Sequence, residues 1–431
     1  MNAKKILLLA AFLILVIASF VALVYFIRTN TSLLSATPSA DEIATNNSND
    51  KLNAAAENEL VELVSRPLIT HSDLLSTAEF DERTLNLPAN FQIEIYAAGL
   101  GDARAFTFGD GGMFITDRSG GRLLLVRDIT GKGVADGADD ILVVDEDLKT
   151  PHGVFWFEDK LYLAEEHQVV VYSDFYQAGV YRSKDVLISD LPTGGHSTRT
   201  VVIGPDRKLY LSVGSSCNVC AEDDERRAAI SRYDLNGNFE KVYASGLRNT
   251  VGMVFRLDSA SLSYGLWGVD NGRDRIGDDI PPEEVNLIRE DGDYGWPYCY
   301  GAGLANPEYP ERAEYCSSET QPAAYEMQAH SAPLGISFLD NTNSLWPDNL
   351  DDNLFVAFHG SWNRTVPTGY KLVRIDTANE STEAINFITG WLDEKGDVWG
   401  RPVHVEFDAT GDMYISDDKA GVIYRVSYTN V

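Results

Sequence analysis

The chain has 431 residues, with 35 Lys and Arg against 65 Asp and Glu and a formal net charge of −30. A folded body so acidic repels phosphate backbones and anionic lipid headgroups, which excludes nucleic acid as a partner and leaves membrane attachment to some other segment. The charge does not identify a substrate.

Residues 6–26 form one apolar run interrupted only by Ser19, with Lys4 and Lys5 before it and Arg28 after it. At about 1.5 Å per residue, a helix of that length crosses the roughly 30 Å hydrocarbon core, and the run exceeds the about 7 to 15 residues of a signal-peptide core. The expectation is a single-pass membrane anchor over residues 1–28, with the paired lysines on the cytoplasmic side and the rest of the chain outside. The alternative is a cleaved signal segment, with small residues at 35–40 offering the cleavage site and a secreted product. Residues 29–86 read as a linker: 29–53 are rich in Ser, Thr, Asn and Ala without hydrophobic periodicity, and 54–64 suit a short helix.

From residue 87 to 431 one phrase recurs: an alternating apolar strand, a turn with Gly, Asp or Asn, a second strand containing Tyr or Phe, and another turn. Its copies are AFTFGDGGMFITDRSGGRLLLV, GVFWFEDKLYLAEEHQVVVY, VVIGPDRKLYLSVGSS, GMVF with YGLWGVDNG, GISF with DNLFVAFHGSWNR, and VHVEFDATGDMYISDDKAGVIYRV. Repetition at about 45 to 80 residues with almost no helical periodicity predicts an all-β, six-bladed β-propeller. A β-sandwich does not account for the repeats.

In a propeller the first strand of each blade lines the axis, so residues just before these strands converge on one mouth. They are His152, His196 with Arg199, Arg248 with Asn249, His330, and Arg401. Basic groups in the same place in five phrases are the strongest sign of a site. His359 is a further pocket candidate, whereas His71, His167 and His404 read as hydrogen-bonded structural residues.

Within 128–139, DITGKGVADGAD follows the order of an EF-hand loop, except that Lys132 stands at position five, where an oxygen ligand belongs. The loop reads as degenerate, with the ammonium in place of an ion. The four cysteines, Cys217 with Cys220 and Cys299 with Cys316, read in an exported chain as two local disulfides. A thioredoxin-like redox pair or a zinc site is the alternative.

Chemistry concentrates between residues 246 and 297. Arg248 offers a fixed planar charge, and the acidic loop after Asn271, Gly272 and Arg273 can turn carbonyl oxygens toward a hard cation such as calcium. The order GLRN, NGR, EEVNLI, YGWP resembles the soluble quinoprotein sugar dehydrogenases, the glucose and sorbosone dehydrogenase family that uses pyrroloquinoline quinone (PQQ), and the resemblance runs from about residue 87 to the C-terminus. It implies oxidation of a sugar or sugar aldehyde by hydride transfer to the quinone, with a respiratory-chain component as a candidate electron acceptor. His196, in GGHSTR, resembles the catalytic base, and Arg248 would stand beside the quinone oxygen. Arg199, Asn249, Asn363, Arg364 and Arg401 would bind the cofactor, with Lys371 a further candidate, and the carbonyls of Gly272 and Arg273 would hold calcium.

Four positions depart from the family. Gly195 stands where glucose dehydrogenases have Asp, Arg273 where they have Pro, Asn363 where they have a cofactor-binding Lys, and Trp399 where they have one of a pair of Arg. Glucose itself is therefore in doubt, while a sorbosone or pyranose substrate remains open. The competing readings are a non-catalytic propeller that presents a binding surface and a calcium-dependent lactonase-type hydrolase.

Overall fold

The computed structural model describes residues 62–71, 78–137, 139–176, 180–258, 261–339, 345–378 and 383–429. The segment expected to anchor the chain lies outside these residues, and among the described residues no helix is long and apolar enough to cross a membrane.

Six sheets of at least four strands follow one another around a ring, antiparallel throughout except where Gly292–Asp293 adds a short parallel strand to the edge of the third. Their innermost strands are Ala103–Gly109, Val154–Phe157, Arg199–Ile203, Thr250–Asp258, Pro333–Phe338 and Pro402–Phe407, one from each recurring phrase. Alternation brings the phrases into register, and short turns set their hand. Between Val154–Phe157 and Lys160–Ala164, for example, Glu158 and Asp159 adopt φ of 47° and 58°, the mirror-image turn whose twist matches a hairpin.

The sixth blade is completed from the other end of the sequence. Pro402–Phe407, Met413–Asp417 and Val422–Tyr428 take Phe91–Ala98 as their fourth strand, pairing Val422 with Ala98 and Tyr428 with Phe91.

Each pair of neighbouring blades encloses an apolar cluster of its own. Phe114 meets Leu161 between the first and second, for instance, and Phe91, Phe355, Phe387 and Trp391 fill the space between the fifth and sixth. At the axis the inner strands nearly touch: a Cβ on Gly335 would stand 2.5 Å from His404 Cα, and one on Gly153 would stand 2.7 Å from the Arg199 carbonyl oxygen. Below this contact an axial cavity of about 400 Å³ is lined by Phe155, Val254, Phe338, His404 and Glu406 among others.

The folded body starts earlier than the sequence reading placed it. Leu63–Pro67 and Thr84–Pro88 form an antiparallel hairpin, and Asn86 exchanges backbone hydrogen bonds with Thr389 at the edge of the fifth blade. Leu85 and Leu87 are buried in that blade's core, so the strands Leu63–Pro67 and Thr84–Pro88 belong to the folded body rather than to a linker, and residues 63 and 64 extend a strand rather than a helix. Both expected disulfides form, Cys217–Cys220 and Cys299–Cys316. In the loop at 128–139, Lys132 Nζ lies 3.0 Å from Asp136 Oδ2.

Candidate functional site

Paired strands run antiparallel, so the loops that precede the inner strands emerge on the same face as those joining each second strand to its third. That shared face carries the basic mouth, and its loops bring in residues that the inner strands do not.

His196 is half-buried, and its Nδ1 lies 2.9 Å from Ser215 Oγ and 3.0 Å from the Ser215 carbonyl. Ser215 Oγ donates to the Cys217 carbonyl at 2.8 Å, so toward the imidazole it must accept. Nδ1 therefore carries the proton and Nε2 keeps its lone pair, the tautomer of a base. Burial and the nearby Arg248 charge push the imidazole down to about 4, so the ring is neutral at physiological pH.

Gly195 adopts φ of 69°, and a Cβ there would stand 2.5 Å from the Ser215 carbonyl oxygen. This excludes an aspartate beside the imidazole in the present loop. Arg199, expected at the cofactor, is fully buried beneath the same loop, with Nη1 donating to the His196 and Thr198 carbonyls at 2.6 and 2.9 Å. Its Nε and Nη2 go to the carbonyls of Glu166 and Pro192. Arg199 thus fixes the loop that carries His196 and has no free edge to offer a ligand.

Arg248 is joined to this loop through one residue: Ser215 N–H donates to the Arg248 carbonyl at 2.8 Å, and His196 N–H donates to the Ser215 carbonyl at 3.0 Å. Its buried guanidinium spreads over three partners. Nη1 donates to the carbonyls of Asn271 and Gly272 at 3.0 and 2.8 Å, Nε to the Asn218 carbonyl at 3.2 Å, and Nη2 to Asn218 Oδ1 at 2.9 Å.

Two buried carboxyls frame the pair. Asp270 accepts from the Arg248 and Asn249 N–H groups, and Glu283 from those of Gly272 and Ala332. Burial raises them to about 6 and about 7. Gly272 therefore stands where a cation was expected, but its oxygen is already turned to Arg248. The Arg273 side chain points elsewhere and pairs with Glu308.

Around the rest of the ring, Asn363 Nδ2 donates to Asp274 Oδ1 at 2.8 Å and lies 3.4 Å from His330 Nδ1. Arg364 pairs with Asp279, and Arg401 donates to the carbonyls of His359 and Gly360 and lies against the Tyr370 ring. Lys371 is instead taken up over the Phe358 ring, and Trp399 donates to the Gly390 carbonyl.

The structure adds a cluster that sequence reading missed. Asp418 receives His359 Nε2 at 2.9 Å and Arg104 Nη1 at 2.5 Å. Burial alone would raise this carboxyl, but His359 and Arg104 hold it well below the usual carboxylate range. Arg118 reaches Ser197, the residue after His196. The loop that holds Arg118 is the counterpart of the one that holds Asp418, which is the signal the phrases offered.

Several donors in this ring lack acceptors. Among the described residues, Arg104 Nε, Arg118 Nε and Arg364 Nε are buried without an acceptor, and so is whichever ring nitrogen of the neutral His152 carries its proton. Unmet buried donors are costly, and an anionic ligand rich in oxygen would satisfy them.

Comparison with known proteins identifies the group to which this site belongs. A protein of Borreliella burgdorferi described as uncharacterized is 30% identical over 378 residues, covering 84% of this chain and 95% of that one. A pyrroloquinoline quinone-dependent pyranose dehydrogenase of Coprinopsis cinerea is 24% identical over 79% of this chain, which spans only 54% of that enzyme. The holo form of that enzyme's PQQ domain matches the fold with a TM-score of 0.71 at 20% identity, covering 84% of this chain and all of the domain. The calcium structure of a Trichoderma reesei carbohydrate-active enzyme of family AA12 matches at 0.68 and 21%, over 84% of this chain and 100% of that one. The family model described as TrAA12-like matches residues 85–429, from the hairpin strand through the last blade, and the chain belongs to that family.

Proposed function

We propose that the chain is a PQQ-dependent oxidoreductase that oxidises a sugar or sugar aldehyde. The observation that carries this reading is the pairing of a neutral, half-buried imidazole with a buried guanidinium, His196 and Arg248, one residue apart through Ser215. The family match and the Coprinopsis and Trichoderma relatives support it.

The residues present fit the cofactor. Three carboxylates and a quinone oxygen suit a rim of arginines with unfilled donors, and Arg104, Arg118, Arg364 and Arg401 would hold the carboxylates. Asn249 and Asn363 would orient the ring, and the carbonyls of Gly272 and Arg273 would hold calcium. When bound, PQQ supplies a hydride acceptor and calcium a hard Lewis acid.

The chain's own groups do the rest. His196 Nε2 takes the proton of the substrate hydroxyl, a role its tautomer prepares, because Nδ1 is tied to Ser215. Arg248 would hold a fixed positive charge beside the acceptor, in a buried setting where such a charge can contribute about a few kcal/mol of transition-state stabilisation. Arg199 keeps the His196 loop from shifting.

The anchor expected over residues 1–28 would place this chemistry outside the cytoplasm, at the membrane surface and within reach of a respiratory electron acceptor. Reconstitution of the full chain with PQQ and calcium, followed by dye reduction over a panel of aldoses and sugar aldehydes, tests the activity. Turnover with at least one sugar is expected, and quinone-dependent turnover with none overturns the proposal. Fractionation of expressing cells, with and without residues 1–28, tests the location; identical soluble recovery of both forms would rule the anchor out.

A further inference from the structure

The turn that follows Leu209–Val213 touches both members of the proposed pair. Ser215 meets the His196 ring, and three residues later Asn218 meets Arg248 with its carbonyl and its Oδ1. The Asn218 amide is held in turn, since Oδ1 accepts from Asp274 N–H at 2.9 Å and Nδ2 donates to the Asp274 carbonyl at 3.1 Å.

No strand or helix lies between Val213 and Ala229. What closes the turn is the Cys217–Cys220 disulfide, whose cysteines bracket Asn218. The Cys217 carbonyl also fixes the Ser215 hydroxyl, and through it the imidazole tautomer. One covalent link thus constrains the partner of the guanidinium and the partner of the imidazole together.

We infer that the Cys217–Cys220 turn is the positioning device of this site: Asn218 aims Arg248, Ser215 fixes His196, and a dithiol reductant disables both by opening the turn. The inference rests on the oxidoreductase reading above and adds to it a dependence on redox conditions. In the opening step a thiolate of the dithiol attacks one cysteine sulfur, and the other sulfur leaves and takes up a proton. The reductant's second thiol then displaces the first cysteine. Two electrons and two protons pass to the protein, and the dithiol ends as a disulfide.

Access makes the reaction selective. Cys217 and Cys220 are half-buried beside exposed Ser216, whereas Cys299 and Cys316 are only 3% and 2% exposed. A guanidinium freed from Asn218 keeps its charge and its Nη1 bonds to Asn271 and Gly272 but loses those that hold Nε and Nη2, so its plane can turn, and misplacement of this kind costs about tenfold to a hundredfold in rate.

The test treats the full chain under native conditions with dithiothreitol, removes the reductant anaerobically before PQQ is added, and reads two quantities. One is hydrogen exchange at the Asp274 amide, which needs no cofactor; the other is PQQ-dependent turnover. Reduction should raise exchange at Asp274 and lower turnover about tenfold or more, with PQQ binding retained and activity restored on reoxidation. A Cys217→Ser/Cys220→Ser variant should show both changes from the start and ignore the reductant. Asn218→Ala should lower turnover with the disulfide intact, and Asn218→Asp, which keeps the acceptor for Arg248 and for Asp274 N–H, should recover part of the loss.

Reduction at Cys217 and Cys220, verified by thiol mass labelling, that leaves both exchange and turnover unchanged would overturn the inference. If no form of the protein turns over, the oxidoreductase reading has failed. The exchange arm then decides the positioning claim alone, and unchanged exchange overturns it.

Discussion

Arg248 Nη1 donates to the Gly272 carbonyl across 2.8 Å, so an oxygen suited to a hard cation faces a permanent positive charge. Calcium arriving at Gly272 must share that oxygen and approach a like charge. Removing the guanidinium with Arg248→Ala should therefore tighten calcium binding to the quinone-free protein by about tenfold or more, even as it abolishes turnover. Isothermal calorimetry checks this, and unchanged or weaker affinity would remove Gly272 from the metal site.

The imidazole of His196 should titrate far below its usual range. Its folded value is pushed down to about 4 by burial first and by Arg248 second. The folded protein thus binds fewer protons at this residue than the unfolded chain between about pH 4 and the ordinary imidazole value of 6.5. That contribution to stability is present above the window and is lost as pH falls through it. NMR of the ring in the quinone-free protein should find it neutral at pH 6, and Arg248→Ala should move the titration upward. A His196→Gln variant should retain PQQ and lose turnover by about a hundredfold or more; equal turnover would discard the base assignment.

Glu284 has the opposite sign. Burial first, then the Asp270 charge, raises its carboxyl to about 8, against an ordinary 4.5. The folded state binds the extra proton, so this contribution to stability is full below about pH 4.5 and lost as pH rises toward 8. Glu284→Gln keeps an acceptor for Gly301 N–H, and because Asn286 Nδ2 donates to Glu284 Oε2, a flip of the Asn286 amide would turn its Oδ1, buried without a partner among the described residues, toward the new NH2. The variant should melt higher than the parent at pH 8, with the gap closing by pH 5. A lower melting temperature at pH 8 would contradict the buried-proton account.

Lys132 stands at position five of the loop at 128–139, with its ammonium 3.0 Å from Asp136 Oδ2. Thr130 Oγ1 and the N–H groups of Lys132 and Gly133 already turn toward the Asp128 carboxylate, as a calcium loop would arrange them. Lys132→Asp should gain a calcium site bound about tenfold or more tightly than any affinity of the parent loop. Equal binding by both, measured by titration, would show that the lysine does not occupy the ion's place.

Much of this architecture was legible because its signals are local. The six alternating phrases coincide with six blades, and cysteines three and 17 residues apart pair with each other. The order His196, Arg248, Gly272 could be read from short motifs, and the structure brings these residues together. What stayed hidden depends on distance along the chain. The pairing of Phe91–Ala98 with Val422–Tyr428 leaves no mark in either segment, and Arg104 finds Asp418 314 residues away. Asn218 and Ser215 sit in a polar turn with no periodicity to interrupt, and nothing in CNVC announces that its asparagine cradles an arginine. Arg199 was drawn to the mouth by its place before an inner strand, but a strand's first residue can point under the loop as readily as over it.

The fastening of the ring by Phe91–Ala98 against Val422–Tyr428 has a consequence for how the protein is made. A chain emerging N-terminus first holds out an unmated strand edge through nearly all of its synthesis, and the circle shuts only when the last few residues arrive. Loss of those residues would be felt at every blade, because an opened circle frees the first sheet from the last and leaves the axis without its sixth wall.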